Sequence, residues 1–335
     1  MVQAAMMTLD EFLAEWRGGA DRVLVHTSGS TGKPKPMLVE KRRMAASARI
    51  TCSFLGLKQG DTALLCMPLD YIAGKMMAVR AEVCGLRLLS VPPSAHPLVS
   101  LDAPPVFAAM VPMQVYGSLR VPRERGLLRG IRHLIIGGGA VDDSMAAELR
   151  GFPNAVWSTY GMTETLSHVA LRRLSGPEAD EWYTPLGGVA VSLTAGGCLV
   201  IDAPAVSEVP VVTNDVAELA PDGRRFRILG RKDNVICSGG IKIQAEEVER
   251  RLARHLRVPF MVTHRPDPKF GQTVVLLVQA ADTSEAEGVC RRVLPKYWQP
   301  HFYVAVDRLP LTATGKPARA SAVRLAEAAA APEAG

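Results

Sequence analysis

Between residues 63 and 158 the chain alternates short apolar runs with longer mixed stretches. Residues 63–67, 86–89, 106–111, 131–136 and 155–158 are the apolar runs, too short for helices and rich in the aliphatic residues of buried strands. Residues 74–83, 113–119 and 142–149 lie between them and read as helices. Strands alternating with helices predict a parallel sheet covered on its faces. Upstream, residues 37–55 contain no Gly or Pro and read as one helix, and Val23, Leu24 and Val25 read as a short buried strand. The first sixteen residues read as a short amphipathic helix. Residues 92–105 carry five prolines and read as a loop.

From about Gly187 the pattern changes to short β-like pieces separated by turn residues, at 189–193, 198–201, 209–212 and 226–229. Beyond residue 234 a compact α+β pattern follows. Val248, Leu252 and Leu256 recur at a spacing of four within a helix over 244–256. A strand at 273–279, a helix at 284–294, a strand at 302–306 and an Ala-rich helix at 320–331 complete it. The expectation is an α/β protein. Residues 1–230 form a large domain with parallel sheet, flanking helices and a β-rich subdomain, and residues 231–335 form a small α+β domain joined by a hinge.

Composition narrows the class. Of 335 residues, 48% are hydrophobic and 21% charged, as in soluble globular proteins. No apolar run is long enough to cross a bilayer, and the acidic N-terminal segment does not read as a secretory signal, so a cytoplasmic protein without membrane insertion is expected. The net charge of +6 is dispersed and aromatics make up only 5%, which speaks against nucleic acid and suits a small polyanion. The six cysteines, at 52, 66, 84, 198, 237 and 290, form no CxxC pair and read as buried thiols, and the seven histidines are scattered. No zinc site is expected.

Candidate chemistry is concentrated in six stretches. After the strand at 23–25 come Thr27, Ser28, Gly29, Ser30, Thr31, Gly32, Lys33, Pro34 and Lys35. The two glycines let backbone N–H groups approach an anion, the hydroxyls donate to it and the lysines supply charge, so the loop suits a polyphosphate. It is not a Walker A loop, because Pro34 follows Lys33. Gly137, Gly138 and Gly139 stand at the carboxyl end of one strand, and Tyr160, Gly161, Thr163 and Glu164 follow another, where open α/β sheets bind ligands. Tyr160 offers a flat face to a base, Thr163 a hydroxyl to phosphate, and Glu164 a hard oxygen to Mg²⁺. Asp215 could take the hydroxyls of a ribose, and Arg231 a ribose or phosphate. Arg231, Lys232 and Asp233 make a charged segment suited to a hinge. Ser238, Gly239, Gly240 and Lys242 follow, and Lys316 stands in a Gly/Pro-framed loop near the end. Taken singly, each stretch has a plainer reading as a turn, a helix cap or solvated surface.

Taken in order, HTSGSTGKPK, STYGMTET, TND, GRKDNVICSGGIKI and LTATGKPAR resemble the core motifs of the acyl-adenylate-forming superfamily, from about residue 23 to 320. This superfamily comprises acyl- and aryl-CoA synthetases, peptide-synthetase adenylation domains and luciferases. MPLDYIAGKMMAVRA and STYGMTETLSHVALRRL are further similar to the short o-succinylbenzoate–CoA ligases of menaquinone synthesis. The resemblance implies ATP, Mg²⁺ and coenzyme A. Residues 27–35 would hold phosphates, Gly138, Gly139, Tyr160 and Gly161 would flank adenine, Thr163 would touch the α-phosphate, and Asp215 and Arg231 would fix ribose. Glu164 would bind the metal and Lys316 would bridge the attacking carboxylate and the phosphate. Asp233 would be the hinge, and Ser238, Gly239, Gly240 and Lys242 would line the route of coenzyme A.

For the acid, Lys75 and Arg80 on the helix at 74–83 are candidates to meet the non-reacting carboxylate of a diacid. The alternative is that both are exposed helix charges. One departure stands out: the superfamily usually carries a much longer segment before the phosphate loop. The resemblance therefore implies a missing or shrunken subdomain and an acyl pocket walled differently, for example by a second subunit of a homodimer. A CoA ligase for another aryl or short acyl acid, an adenylation enzyme loading a carrier protein, and a non-catalytic nucleotide-binding protein remain alternatives.

Overall fold

A computed structural model describes residues 7–26, 36–312 and 317–329. Helix α1 (Leu9–Arg17) opens on a capping box, in which the Thr8 side chain accepts from Glu11 N and the Glu11 carboxylate accepts from Thr8 N. Strands β1 (Arg22–His26) and β2 (Pro36–Glu40) pair antiparallel as a two-stranded ribbon. The phosphate-loop motif thus joins two strands of a hairpin, not a strand to a helix. Residues 37–40 accordingly lie in β2, and the helix expected from residue 37 begins as α2 (Lys41–Phe54). Burial alternates along the all-apolar run Val23, Leu24 and Val25, as a ribbon requires: the two valines are buried, whereas Leu24 faces outward with its partner Leu38.

The main sheet then builds in chain order: β3 (Thr62–Leu65), α3 (Ile72–Cys84), β4 (Arg87–Ser90), β5 (Phe107–Met110), α4 (Pro112–Arg120), α5 (Pro122–Gly130), β6 (His133–Ile136), α6 (Asp143–Arg150), β7 (Ala155–Gly161), β8 (His168–Arg173) and β9 (Thr184–Pro185). Its order is β4-β3-β5-β6-β7-β8-β9, parallel from β4 to β7 and antiparallel thereafter. The chain goes outward from β3 to β4 and then returns to β5 on the other side, so the carboxyl ends of β3 and β5 form a topological switch point. Alternate residues face opposite ways. Ala63, Phe107, Ala109 and Ile135 pack with Met76 and Val79 on one face, and Leu64, Ala108, Leu134 and Ile136 pack with Val115 and Met145 on the other.

Strands β10 (Ala190–Leu193), β11 (Cys198–Asp202), β12 (Val211–Leu219) and β13 (Phe226–Arg231) form an antiparallel sheet, as the turn-punctuated sequence predicts. The C-terminal part contains β14 (Val235–Ser238), β15 (Ile241–Gln244), α7 (Ala245–Ala253), β16 (Phe260–Asp267), β17 (Gly271–Val278), α8 (Ser284–Val293), β18 (Phe302–Ala305) and α9 (Arg319–Ala328). Val248, Leu252 and Cys290 pack on one face of its sheet, and Ala322 and Ala326 on the other. The α/β architecture with a smaller α+β part is the one the sequence predicts. Strands β2, β8, β9, β14, β15 and β16 and helix α5 were not anticipated.

Candidate functional site

Strand β7 brings Tyr160 to the carboxyl end of the sheet, and β12 brings Asp215 to meet it. The Tyr160 hydroxyl donates to Asp215 Oδ2 at 2.6 Å, and Arg231 Nη1 approaches Asp215 Oδ1 at 3.4 Å. Arg231 Nη2 donates to Asp233 Oδ2 at 2.9 Å, and Asn214 donates to the same oxygen at 3.4 Å. Four residues singled out in the sequence, Tyr160, Asp215, Arg231 and Asp233, therefore form one knot. Burial, with the Asp215 carboxylate beside it, pushes the Tyr160 phenol well above its ordinary pKa, so it remains a donor. The Tyr160 ring is not a free stacking platform throughout: Phe226 meets it edge-on at 5.2 Å and Tyr183 lies 5.8 Å away.

The glycines divide by physical cause. Gly138 has φ +78°, left-handed backbone that favours glycine, and it follows Gly137, where a Cβ would lie 2.4 Å from Thr159 Oγ1. Gly139 carries no such constraint. Gly161 is needed for packing: a Cβ there would lie 2.3 Å from Ser167 O and 2.5 Å from His168 Cα. This glycine, expected beside adenine, is what lets β8 fold back onto β7. Thr163 is buried and Glu164 exposed in the single helical turn that follows. Gly239 and Gly240, with φ +57° and +82°, form the two-residue turn of the β14–β15 hairpin, flanked by the pair Ser238 and Ile241, with Lys242 opposite Cys237 in the next pair. Residues 27–35 and Lys316 lie outside the described residues.

Helix α3 corrects the surface reading of Lys75 and Arg80, for each is only 2% exposed. Residues 74–81 are all buried because this stretch of α3 is covered all round, and within it every position but these two is apolar or glycine. Helix α1 takes up Lys75. Its ammonium lies 3.2 Å from Met7 Sδ, 3.7 Å from Glu15 Oε2 and 4.8 Å from the Phe12 ring centroid. Burial lowers its pKa, opposed by Glu15 and Asp70. Lys75 is thus withdrawn as a group for the acid, because the N-terminal helix already satisfies it.

Arg80 is different. It donates to Ser167 Oγ at 2.6 Å, its Nε has no partner, and no carboxylate pairs with it among the described residues. Burial pulls its pKa only to about 10, so it stays a cation at neutral pH. Ser167 stands three residues beyond Glu164, which joins the acid candidate to the nucleotide candidates. Ser167 and its neighbours His168 and Thr51 were not singled out individually. The only sequence signal was the polar pair Ser167-His168 interrupting an apolar run beside Glu164.

Glu164 can be tested as a metal ligand. Its carboxylate is exposed and makes no ion pair with another described residue, and no cluster of three or more metal-ligating side chains exists among the described residues. That suits Mg²⁺ held by one carboxylate together with substrate phosphates, and it does not suit an all-protein cage.

A switch-point sheet and a charged segment leading into a small α+β unit define the two-domain class of adenylate-forming enzymes. The chain belongs to the AMP-binding enzyme family: the family model matches residues 19–219, and the model of the family's C-terminal domain matches residues 247–316. The chain is 27% identical to the 2-succinylbenzoate–CoA ligase of Bacillus mycoides (strain KBAB4), over 91% of this chain and 70% of that ligase. It is 37% identical to the acyl-CoA synthetase (AMP-forming)/AMP-acid ligase II-like protein of Dyadobacter fermentans DSM 18053, with TM-score 0.64 and coverage of 93% and 91%. The fold is also that of Bacillus subtilis o-succinylbenzoate CoA synthetase in complex with its acyl-adenylate intermediate, at TM-score 0.74, 24% identity and coverage of 89% and 68%.

Proposed function

We propose that the protein is an AMP-forming acid–CoA ligase that activates 2-succinylbenzoate in menaquinone biosynthesis. The observation that carries the substrate is Arg80, a buried cation without a carboxylate partner among the described residues. An unpaired buried charge is costly, and a diacid brings a second carboxylate that would neutralise it. The name shared by curated relatives such as that of Bacillus mycoides points the same way.

The reaction has two halves. A carboxylate oxygen attacks the α-phosphorus of ATP and pyrophosphate leaves. The thiolate of coenzyme A then attacks the acyl carbon, and AMP leaves with the electron pair of the broken C–O bond. The first half brings two anions together, so positive groups must offset their repulsion. Residues 27–35 would hold the β- and γ-phosphates, and Lys316 would bridge the attacking oxygen and the α-phosphate. Asp215, oriented by Tyr160 and Arg231, would accept from the ribose hydroxyls, beside adenine placed near Gly138 and Gly139. Thr163 would donate to the α-phosphate. Mg²⁺ on Glu164 would neutralise phosphate charge.

For the second half, Asp233 would act as the hinge between residues 1–230 and 231–335. The exposed hairpin tip at Gly239 and Gly240, with Ser238 and Lys242, would then face coenzyme A. No described helix is long and apolar enough to cross a membrane, and the cysteines are unpaired, which supports a cytoplasmic enzyme. The exposed Leu24 and Leu38, opposite each other on the ribbon, support a second subunit at that face. The deciding experiment measures pyrophosphate release with ATP and coenzyme A over a panel of acids. 2-Succinylbenzoate should exceed benzoate and short fatty acids by at least about a hundredfold in kcat/KM, roughly 3 kcal/mol. Equal rates across the panel would refute the assignment.

A further inference from the structure

The hydrogens around Arg80 can be assigned one by one. Thr51 Oγ1 lies 3.1 Å from the Ser47 carbonyl, which can only accept, so the single hydroxyl hydrogen of Thr51 goes there. Thr51 can then only accept from His168 Nε2, at 3.1 Å, so Nε2 carries the imidazole proton. Nδ1 is left bare, 3.3 Å from Ser167 Oγ, and the Ser167 hydroxyl donates to it. Ser167 in turn accepts from Arg80 Nη2 at 2.6 Å. The chain runs one way, from guanidinium to hydroxyl to imidazole to hydroxyl to helix carbonyl.

This relay contains no anion. His168 is buried, and burial together with the Arg80 charge holds its pKa well below the ordinary imidazole value. The Cys52 thiol beside Arg80 is pushed up to about 12 by burial, so it supplies no negative charge either. Leu166, the residue before Ser167, has φ +64°, an unfavourable backbone for a branched side chain that the surrounding structure must hold. A cavity of about 10 Å³ borders His168 together with Ser47 and Ile50.

We propose that His168 is a positioning residue for the acid: its imidazole fixes the Ser167 hydroxyl, and through it turns the Arg80 fork to receive the non-reacting carboxylate of a diacid. Without a bare nitrogen at Nδ1, nothing holds the Ser167 side chain in its rotamer, and the one contact of the guanidinium among the described residues is no longer fixed. A bidentate carboxylate pair depends on orientation, so binding of the second carboxylate weakens. The inference rests on the diacid reading above and adds a residue that does not touch substrate.

The test uses His168→Leu, His168→Gln and Thr51→Val in the full chain. Each is assayed by pyrophosphate release with 2-succinylbenzoate and with the same keto acid lacking the ring carboxylate, scored as substrate or as competitor. In His168→Leu the preference for diacid over monoacid should fall about tenfold, mainly through KM. Gln presents an amide oxygen and N–H spaced like the two ring nitrogens, so His168→Gln should restore the preference to within about threefold of wild type. Thr51→Val breaks the far end of the relay and should also lower the preference, which keeps the test alive if His168→Leu does not fold. Equal losses on both acids, or no rescue by Gln, would overturn the proposal. A wild-type protein with no activity on the diacid would instead overturn the ligase reading.

Discussion

The phenol of Tyr160 and the carboxylate of Asp215, fifty-five positions apart, are joined by a 2.6 Å hydrogen bond that ties the seven-stranded sheet to the four-stranded one. Asp215 also receives Arg231, at the end of the strand that leads into the C-terminal part. One carboxylate is therefore held at the meeting point of two sheets and the proposed hinge. Its side chain is 15% exposed, so it keeps a face open to a ligand while its partners set its direction.

Removing the donor should cost less than removing the acceptor. Tyr160→Phe loses one hydrogen bond to a charged group, worth about 1.5–3 kcal/mol at most, and should raise KM for ATP about tenfold with a small change in kcat. Asp215→Ala leaves the phenol without its acceptor, takes one of two carboxylates from Arg231 and removes the group proposed to hold the ribose, so it should lower kcat/KM for ATP by at least about a hundredfold. Pyrophosphate release against ATP concentration measures both, and a larger loss in Tyr160→Phe would contradict the assigned roles.

Lys75 and Arg80 should separate cleanly. Arg80→Met should reduce kcat/KM for the diacid by about a hundredfold. Lys75→Met should leave it near wild type and change stability by no more than about 1 kcal/mol, because Met fills the same volume and Glu15, a third exposed, can stay hydrated. The sign with pH follows from the lowered pKa of Lys75. Below the ordinary value of 10.5 the unfolded chain binds the proton more tightly, so stability gained from this group rises as pH climbs from its folded value towards 10.5. Thermal melts at rising alkaline pH should therefore shift in favour of wild type relative to Lys75→Met.

These burial states explain where the sequence was legible. Period and punctuation announced β3 to β7, because each is an apolar run between turn residues. They hid β2, since Met37, Leu38 and Val39 run without a break into α2 and only pairing with β1 separates them. They also hid β16, whose run ends in Arg265, Pro266 and Asp267, polar residues and a proline that mask the hairpin it closes with β17 through residues 268–270. Tyr160, Asp215, Arg231 and Asp233 were legible as separate motifs, and their contact was not. Arg80 was legible as a charge but not as a buried one, because burial on α3 is set by α1, α2 and the sheet together.

Gly161 tests a steric claim at the edge of the site. Gly161→Ala would place a methyl group 2.3 Å from Ser167 O and 2.5 Å from His168 Cα, both backbone atoms that cannot turn aside. Stability should fall by about 1–3 kcal/mol, read as a lowered midpoint in urea. The diacid preference should fall with it, since the displaced segment carries Ser167. An unchanged midpoint would show that β8 does not need this approach.

The described residues on either side of the stretch that carries Lys316 are firmly held. Leu311 and Pro317 form a β-bridge, and Ala318 N donates to Pro310 O at 2.9 Å. Three residues past Lys316, Arg319 grips Glu249 with two bonds of 2.6 and 2.7 Å and also donates to Val262 O at 2.8 Å. If the lysine serves only the attack on the α-phosphorus, Lys316→Ala should lower pyrophosphate release by at least about a thousandfold, roughly 4 kcal/mol, the scale of one lost charge-stabilising group in a transition state. Thioester formation from supplied acyl-adenylate and coenzyme A should stay within about threefold of wild type, because that half-reaction has no incoming anion to offset. Equal losses in both halves would place Lys316 in general folding or binding. Normal pyrophosphate release in the variant would remove it from the chemistry, and the positive group that brings two anions together would have to be sought among residues 27–35.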